Sequence, residues 1–361
     1  MTGIASFFKN HKILVTGHTG FIGSWLVKCL TLSDSEICGY SLKPPSRPNL
    51  YEALDIKHTI FDVRGDIRDG SSLKKAIQKF RPEIIFHLAA QPIVLDSYDN
   101  PVDTFDTNVT GTVNLLNELR QVDSVKTIIV MTSDKVYKNI EWVYPYREND
   151  PLGGKDPYSA SKSSQDIVVS SFRESYFDSM GVSISSVRAG NVIGGGDWGA
   201  HRIIPDIVRG LTEGKIIRIR NPDSVRPWQY VLELISGVLL LAQRMFSDVK
   251  FSGEWNFGPN NQREITVKEL VDKFLKNWGG GNYSIARDNE AREASYLQLD
   301  ISKAKKALDW FPQYNFEESI GKTVEWYKAY YEDKGSIDSV TEKQIKAYFQ
   351  GRDDILSKTH E

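Results

Sequence analysis

Tyr158 and Lys162 are the residues whose types and spacing most directly suggest chemistry. They stand four residues apart in YSASK, which places a phenol and an ammonium on one face of a helix. A nearby ammonium favours the phenolate, so such a tyrosine can act as a base near neutral pH. The pair therefore predicts proton abstraction from a hydroxyl group.

A serine and a charged dipeptide precede this pair, after an apolar run. Ser133 would hydrogen-bond a hydroxyl or ketone that is being interconverted, which completes a Ser/Tyr/Lys hydride-transfer centre. Asp134 and Lys135 follow and supply an acid and a base beside that centre. Such a set suits dehydration of a sugar, because a ketone at C4 acidifies the C5 proton and the second group can protonate the departing C6 hydroxyl. The residues leave open which of the two is the acid, and Lys135 can be the base only where burial or positive charge favours its neutral form.

A glycine-rich turn follows the first apolar run, in TGHTGFIG, and a helical segment comes after it. Gly17, Gly20 and Gly23 permit a tight turn, a close approach of backbone N–H groups to a pyrophosphate, and close packing of helix on strand. The turn predicts a dinucleotide site. The residues predicted to bind the cofactor are Gly17, His18, Gly20, Phe21, Ile22, Gly23, Ser41, Asp66, Ile67, Leu88, Ala89, Ala90, Asn108, Tyr158 and Lys162.

Two of these predictions concern the adenosine half of the cofactor. The Asp66 carboxylate could accept a hydrogen bond from the adenine amino group. A Rossmann site for NAD usually offers an acidic residue at the end of the second strand, where this chain has Ser41, then Lys43 and Arg47. These cations could instead hold the 2′-phosphate of NADP. The residues alone leave NAD and NADP equally open.

The elements that must position these residues form a βαβ pattern. Short runs rich in Val and Ile alternate with segments of helical periodicity, and their continuous hydrophobicity indicates strands covered on both faces. The sequence predicts an α/β fold, a doubly wound parallel sheet of Rossmann type with a smaller C-terminal substrate-binding lobe. Residues 1–190 are predicted to form the NAD-binding, catalytic domain. Residues 191–361 are predicted to be mainly the nucleotide-sugar lobe, with some segments returning to the sheet, and the charged tail from Lys343 is predicted to be a solvated helix.

Composition excludes several other classes of protein. The chain has 361 residues and a formal net charge of −2, which gives no reason to expect nucleic acid or an anionic membrane as a partner. Cys29 and Cys38 lack the spacing of a metal site, so we predict reduced buried thiols and no metal. No apolar stretch approaches the length of a membrane helix, and no signal peptide is evident, so we expect a soluble cytoplasmic protein.

The order of these motifs resembles the CDP-glucose 4,6-dehydratase group of the extended short-chain dehydrogenase/reductase family. The matching segments are TGHTGF, GDIRD, HLAAQP, TNVTGT, TSDKVY, YSASK, VRAGNVIGGGDW and IRNPDSVRPWQYVLE. The similar dTDP-glucose and GDP-mannose dehydratases carry glutamate where this chain has Lys135. Two departures are Ile22, where the group usually has lysine, and Leu95, where it usually has arginine.

The resemblance implies a lyase that converts CDP-D-glucose to CDP-4-keto-6-deoxy-D-glucose and water, with tightly bound NAD regenerated in each turnover. It implies a homodimer built by helices of the sheet domain, with a tetramer left open, and a role in making 3,6-dideoxyhexoses for lipopolysaccharide O-antigen. The substrate contacts that it implies are Gln91, Asn191, Trp198, Arg202, Arg226, Arg292 and Tyr296.

Three alternative functions fit parts of this pattern. A dehydratase for another nucleotide sugar would share the whole pattern. A nucleotide-sugar 4-epimerase needs the Ser/Tyr/Lys centre and NAD but no acid/base pair, so Asp134 and Lys135 argue against it. A non-catalytic dinucleotide sensor typically lacks the tyrosine or the lysine, and both are present here as Tyr158 and Lys162.

Overall fold

A computed structural model describes residues 4–260, 263–286 and 294–358 of the chain. The helices are α1 (Ile4–Phe7), α2 (Phe21–Thr31), α3 (Leu50–Ala53), α4 (Gly70–Phe80), α5 (Val94–Asp99), α6 (Pro101–Phe105), α7 (Gly111–Leu119), α8 (Pro157–Phe172), α9 (Asp178–Met180), α10 (Ile203–Thr212), α11 (Val231–Ser247), α12 (Val267–Trp278), α13 (Ser302–Leu308), α14 (Phe316–Glu332) and α15 (Ile337–Lys358). The strands are β1 (Lys12–Thr16), β2 (Glu36–Ser41), β3 (Phe61–Arg64), β4 (Ile84–His87), β5 (Thr127–Met131), β6 (Ser183–Ala189), β7 (Val192–Ile193), β8 (Ile217–Ile219), β9 (Gln229–Tyr230), β10 (Gly253–Phe257) and β11 (Tyr283–Ile285).

Seven of these strands form one sheet in the order β10-β6-β5-β4-β1-β2-β3, and every pairing in it is parallel. The predicted doubly wound α/β fold is therefore confirmed. The strand order reverses beside β1, whose last residue Thr16 pairs with Tyr40 on one side and His87 on the other. Open α/β sheets bind ligands at the carboxyl ends of the strands at such a reversal. The glycine-rich turn follows Thr16 directly, at this point.

The sheet is covered on both faces, as its continuous apolar strands predict. Ile13 and Val15 of β1 pack into the larger core with α2 and α11, whereas Leu14 packs into a second core with α4, α7 and α8. Successive side chains of a strand point to opposite faces, so one strand contributes to both cores. The thiols of Cys29 and Cys38 are free and buried, one in each core.

The C-terminal half is built from helices that pack on one another and two short strand pairs. β7 pairs with β9 and β8 pairs with β11, both in parallel. Within residues 191–361, α11 packs in the larger core, and β10 joins the main sheet beside β6. Among the described residues, no helix is long and apolar enough to cross a membrane.

The prediction of a solvated C-terminal helix is wrong. α15 buries Ile345, Tyr348 and Phe349 in the larger core, although its mean composition is strongly charged. Its apolar residues recur at helical spacing and form one stripe, with the charged residues between them. The average charge of the segment concealed that stripe.

Candidate active site

The beginning of α8 is fixed immediately before Tyr158. The Asp156 side chain caps the helix by accepting hydrogen bonds from the backbone N–H and the hydroxyl of Ser159, at 2.9 and 2.6 Å. Pro157 occupies the first helical turn, where its missing N–H costs nothing. The Tyr158 N–H, which has no partner within the helix, donates to Ser97 Oγ at 3.1 Å. Tyr158 therefore lies at the helix start, almost completely buried.

Ser133, Asp134 and Lys135 form a single 3₁₀ turn after β5. Ser133 caps this turn, because its Oγ accepts from the Lys135 N–H at 3.2 Å and hydrogen-bonds Asp134 Oδ1 at 3.0 Å. Asp134 is only 2% exposed, and its Oδ2 has no hydrogen-bond partner among the described residues. Lys135 is half-buried. A buried carboxylate oxygen without a hydrogen-bond partner is unusual, and a donor group of a bound ligand would satisfy it.

The structure brings the Ser133 turn against Tyr158. Burial raises the pKa of Tyr158, while the positive charge of Lys135, a hydrogen bond with Ser133 and the charge of Arg202 lower it. The charge of Asp134 adds to the effect of burial, so the pKa of Tyr158 stays above its ordinary value although these three residues favour the phenolate.

Lys162 is buried one helical turn after Tyr158. Its ammonium donates to Met131 O at 3.2 Å and to Gln165 Oε1 at 2.8 Å. Burial lowers the pKa of Lys162 to about 7, and the negative charge of Asp166 opposes that change. Both partners of Lys162 are neutral oxygen atoms. Because an ammonium has three N–H donors, the third N–H remains available to the site.

The glycine-rich turn is shaped by close backbone approach. Gly17 adopts a left-handed conformation with φ of 75°, and a Cβ there would lie 2.6 Å from Ala89 N. A Cβ on Gly23 would lie 2.8 Å from His18 Cα and would also collide with Gly17 O. Gly20 precedes α2 and provides no side-chain cap. The first N–H groups of α2 are thus left to a ligand, and a pyrophosphate is the group that such a turn binds. These features fit a dinucleotide.

Other residues predicted at the cofactor site are occupied by protein contacts. His18 is fully buried, and its Nε2 hydrogen-bonds Asp62 Oδ1 at 2.6 Å. The Asp66 carboxylate accepts from the Arg68 guanidinium, and this hydrogen bond lowers the pKa of Asp66. Ser41 Oγ lies 2.8 Å from Thr19 Oγ1. His18 and Asp66 thus shape the site through their own protein partners.

The remaining predicted cofactor residues line the turn or support it. Phe21 packs near Gly194, and Ile22 contacts the larger core. Ile67 is buried against Gly111 in the second core. Leu88 and Ala89 donate their backbone N–H groups to Thr16 Oγ1, each at 3.2 Å, and Ala90 follows them.

Asn108 braces the loop after β4. It lies in a π-helical turn (Asp106–Thr110) between α6 and α7. Its Oδ1 accepts from Gln91 N at 2.8 Å, and its Nδ2 donates to Gln91 O and Ser161 Oγ. The Gln91 side chain donates to Ile93 O and Thr104 Oγ1. π-helical turns recur at functional sites, and this one places the buried Asn108 amide against the loop after β4.

One residue predicted to bind substrate, Arg202, interacts electrostatically with Tyr158. Arg202 donates to both carboxylate oxygens of Asp197 at 3.1 Å, and Asp197 raises the pKa of Arg202. The charges of Arg202 and Tyr158 also influence each other's pKa. Asn191 has a buried Oδ1 without a hydrogen-bond partner among the described residues.

Other predicted substrate residues are placed differently. Trp198 packs against Trp326 and Tyr330, and its indole N–H donates to Tyr331 Oη at 3.3 Å. Arg226 is buried and donates to Val225 O at 2.9 Å. Tyr296 forms a parallel bridge with Val225, and burial together with Glu264 raises its pKa to about 12. Arg292 lies outside the described residues.

Sequence reasoning missed a buried ion pair between α8 and β6. Arg188 binds Asp166 through two hydrogen bonds of 2.9 and 2.7 Å, and it also donates to Tyr137 Oη and Glu148 O. Asp166 Oδ2 accepts from Thr132 Oγ1 at 3.2 Å, next to Ser133. The spacing of 158, 162 and 166 along one helix face was the available signal.

Comparisons with known proteins agree with this geometry. The sequence family described as GDP-mannose 4,6 dehydratase matches residues 14–323. The chain is 46% identical to CDP-glucose 4,6-dehydratase of Salmonella typhimurium, over 90% of this chain and 92% of that protein. Its fold is similar to that of dTDP-glucose 4,6-dehydratase from Streptomyces venezuelae, solved with NAD and TYD bound, at a TM-score of 0.77 and 25% identity over 91% of this chain and 99% of the other.

The fold alone does not separate dehydratases from epimerases. UDP-glucose 4-epimerase of Thermotoga maritima, solved with UDP-glucose, has a TM-score of 0.74 and 25% identity, with 88% of this chain and 98% of that chain covered. The sequence match extends over most of the chain and is to dehydratases. The chain therefore belongs to the GDP-mannose 4,6 dehydratase family of nucleotide-sugar 4,6-dehydratases.

Proposed function

We propose that this chain is an NAD-dependent CDP-glucose 4,6-dehydratase, which releases water and forms CDP-4-keto-6-deoxy-D-glucose. The observation that carries the proposal is the Ser133 turn, where a buried Asp134 oxygen without a described partner and Lys135 lie beside Tyr158. An epimerase has no need of that acid/base pair. The choice of CDP-glucose is supported by the 46% identity to the Salmonella enzyme of that name.

The cofactor is NAD, held at the carboxyl end of β1. Gly17, Gly20 and Gly23 leave room for a pyrophosphate against the N–H groups of α2, and Lys162 has one N–H free for a ribose hydroxyl. NAD in the Streptomyces dehydratase supports this choice over NADP. When bound, NAD would accept the hydride from C4 and, after water has left, return it to C6 while C5 regains a proton, so it would be regenerated in each turnover.

The first chemical task of the protein is to ionise the 4-hydroxyl of the glucose unit. Tyr158, as the phenolate, accepts the hydroxyl proton, and Ser133 donates a hydrogen bond to the same oxygen. Burial raises the pKa of Tyr158, and the charges of Lys135 and Arg202 oppose that effect without reversing it. This step leaves C4 ready to become a ketone.

Elimination of water is the second task. A ketone at C4 acidifies the C5 proton, and Lys135 as the neutral amine removes it. Asp134 donates a proton to the C6 hydroxyl, so the C6–O bond breaks and water leaves. We assign the acid to Asp134, whose buried Oδ2 has no hydrogen-bond partner among the described residues, and the base to the half-buried Lys135. Arg202, Arg226 and Asn191 are proposed to hold the diphosphate, since guanidinium groups bind phosphate oxygens in pairs.

A direct assay tests this function. The purified protein is incubated separately with CDP-glucose, dTDP-glucose, GDP-mannose and UDP-glucose, and products are identified by NMR. We expect a 4-keto-6-deoxy product from CDP-glucose. A product that differs only in configuration at C4 would identify an epimerase, and dehydration of another nucleotide sugar alone would overturn the substrate.

We also propose that the enzyme is a homodimer formed by helices of the sheet domain. Val102 and Phe105 of α6 expose 81% and 38% of their surfaces, and Ile167 of α8 exposes 57%. α6 packs against α8. Exposed apolar side chains on neighbouring helices are a feature of interfaces. The double variant Val102→Asp/Ile167→Asp should be monomeric by light scattering, whereas Ile216→Asp, at an exposed site in the lobe, should not change the mass. A wild-type monomer would contradict the proposal.

Cytoplasmic location and a role in 3,6-dideoxyhexose synthesis stay predictions.

A further inference from the structure

Gln165 is the direct hydrogen-bond partner of the catalytic lysine. It is completely buried, and its Oε1 accepts from Lys162 Nζ at 2.8 Å. The second partner of Lys162 is Met131 O at 3.2 Å. An ammonium has three donors and no acceptor. Two of the three are therefore fixed by the protein, and they determine where the third points.

The orientation of the Gln165 amide is determined by Thr112. The Thr112 hydroxyl donates its single hydrogen to Asn108 O at 2.7 Å. It can then only accept from Gln165 Nε2, which lies 2.8 Å away. The amide nitrogen consequently faces Thr112, and the amide oxygen faces Lys162.

The same chain of hydrogen bonds continues to the glycine-rich turn. His87 Nε2 lies 3.0 Å from Thr112 Oγ1, and His87 Nδ1 lies 2.7 Å from Thr16 Oγ1. Since the Thr112 hydrogen is committed elsewhere, His87 donates through Nε2 and accepts from Thr16 through Nδ1. Burial, together with the charge of Lys162, lowers the pKa of His87 to about 3, so the ring is neutral. Lys162 is thereby connected through neutral groups to the strand end that carries the cofactor turn.

We propose that Gln165 is a positioning residue that orients Lys162 and stabilises its ammonium form in the dehydratase reaction. This inference rests on the proposed function, and Gln165 acts only through Lys162. The charged and titratable groups around the lysine are Asp166 on its own helix and His87 from β4. Asp166 is paired with Arg188 from β6, and Asp134 and Lys135 face Tyr158 from the turn after β5. The described groups of α7 and the π turn that join this chain, Thr112 and Asn108, are neutral.

Two substitutions of Gln165 should change the pKa of Lys162 in opposite directions. Gln165→Leu removes the acceptor, so the ammonium loses a partner in a buried place and its pKa should fall. Gln165→Glu keeps the shape and adds a negative charge, so the pKa of Lys162 should rise. A side chain that served only for packing would not produce opposite changes. Ser164→Ala is the matched control, because the Ser164 hydroxyl donates to Ala160 O on the same helix.

The first measurement is the unfolding free energy of the purified enzyme between pH 6 and 10, with NAD held at one saturating concentration. Lys162 binds fewer protons in the folded than in the unfolded state between its folded pKa of about 7 and its ordinary value, so its contribution makes stability rise with pH in that window. With Gln165→Glu the rise should begin at higher pH, and with Gln165→Leu at lower pH, each by roughly one pH unit. Ser164→Ala should follow the wild type. Coincident curves, or displacement of both in one direction, would overturn the proposal.

The second measurement is the pH dependence of turnover with whichever nucleotide sugar the wild type dehydrates. Loss of activity at high pH through deprotonation of Lys162 should move upward with Gln165→Glu and downward with Gln165→Leu, by roughly one pH unit. If Gln165→Leu does not fold, an unchanged profile for Gln165→Glu still refutes the proposal. If no nucleotide sugar is dehydrated, the proposed function fails, while the stability curves still decide the role of Gln165.

Discussion

The sheet half (residues 4–190) and the C-terminal half (the described part of residues 191–361) hold their candidate site residues in different ways. In the sheet half, Gly17 and Gly23 are required by backbone contacts, and the Ser133 turn follows a strand directly. In the C-terminal half, Trp198 packs against Trp326 and Tyr330 of α14, which is distant along the chain. A site built on strand ends depends on residue type and local order, whereas a site built on packed helices depends on contacts distant in sequence.

This difference predicts how substitutions in the two halves behave. Changes at chemical groups of the sheet half should alter turnover or cofactor binding with little loss of stability. Changes at buried aromatic groups of the C-terminal half should reduce stability first. The following variants test the two halves against each other, from the largest expected effect to the smallest.

Lys135→Met should produce the largest change, in the sheet half. Turnover should fall by about 10²–10⁴-fold, because the variant lacks the proposed base at C5. Incubation in deuterated water should also show loss of deuterium incorporation at C5, measured by NMR. Unfolding free energy should stay within about 0.5 kcal/mol of wild type, since the side chain is only half-buried. Turnover and C5 exchange at wild-type rates would remove Lys135 from the mechanism.

Trp198→Ala should mainly reduce stability. The indole packs against Trp326, Tyr327 and Tyr330, so its removal should cost about 3–5 kcal/mol of unfolding free energy in denaturant titrations. The KM for nucleotide sugar should change by less than about threefold for the folded fraction, because the indole N–H is used by Tyr331. A large increase in KM with unchanged stability would instead make Trp198 a substrate contact, as the family resemblance implies.

These two variants also show what the sequence could and could not reveal. The parallel sheet and the strand-end location of the Ser133 turn were predictable because apolar runs and glycine spacing are local properties. The cofactor roles of Asp66 and His18 stay predictions, and their side chains also bind Arg68 and Asp62. The Asp62 contact depends on where β3 lies relative to the turn after β1, whereas Arg68 stands only two residues after Asp66.

Other features were hidden by averaging or by neutrality. α15 appeared solvated because its charged residues outnumber an apolar stripe that only a helical projection isolates. Gln165 carries no charge and has no motif of its own, although it lies on the face of α8 that carries Tyr158 and Lys162. Its significance depends on Thr112 and His87, which come from two other elements.

Gly23→Ala tests the backbone contacts of the sheet half. The new methyl group would meet His18 Cα at 2.8 Å and Gly17 O, so the turn must move, and we expect a loss of about 1–3 kcal/mol. The loss should appear as weaker NAD binding in calorimetry as well as in unfolding. Gly20→Ala is the matched control, because its nearest neighbour would be 3.4 Å away. Equal behaviour of the two variants would contradict a turn defined by close approach.

Glu233→Gln tests a buried carboxylate of the C-terminal half. Glu233 accepts from the N–H groups of Gln313 and Tyr314 and from Tyr348 Oη of α15, and burial raises its pKa to about 7. A carboxyl group with a raised folded pKa binds more protons when folded, so its contribution to stability is present below its unfolded value and declines as the pH rises towards 7. The wild type should therefore lose stability relative to Glu233→Gln between pH 5 and 7, by at most about 1.4 kcal/mol per pH unit, in urea titrations. The control Glu332→Gln, at an exposed position, should run parallel to the wild type. Parallel curves for Glu233→Gln as well would mean that this carboxylate stays ionised in the core, and that the C-terminal half is held by its aromatic packing without a titrating contact to α15.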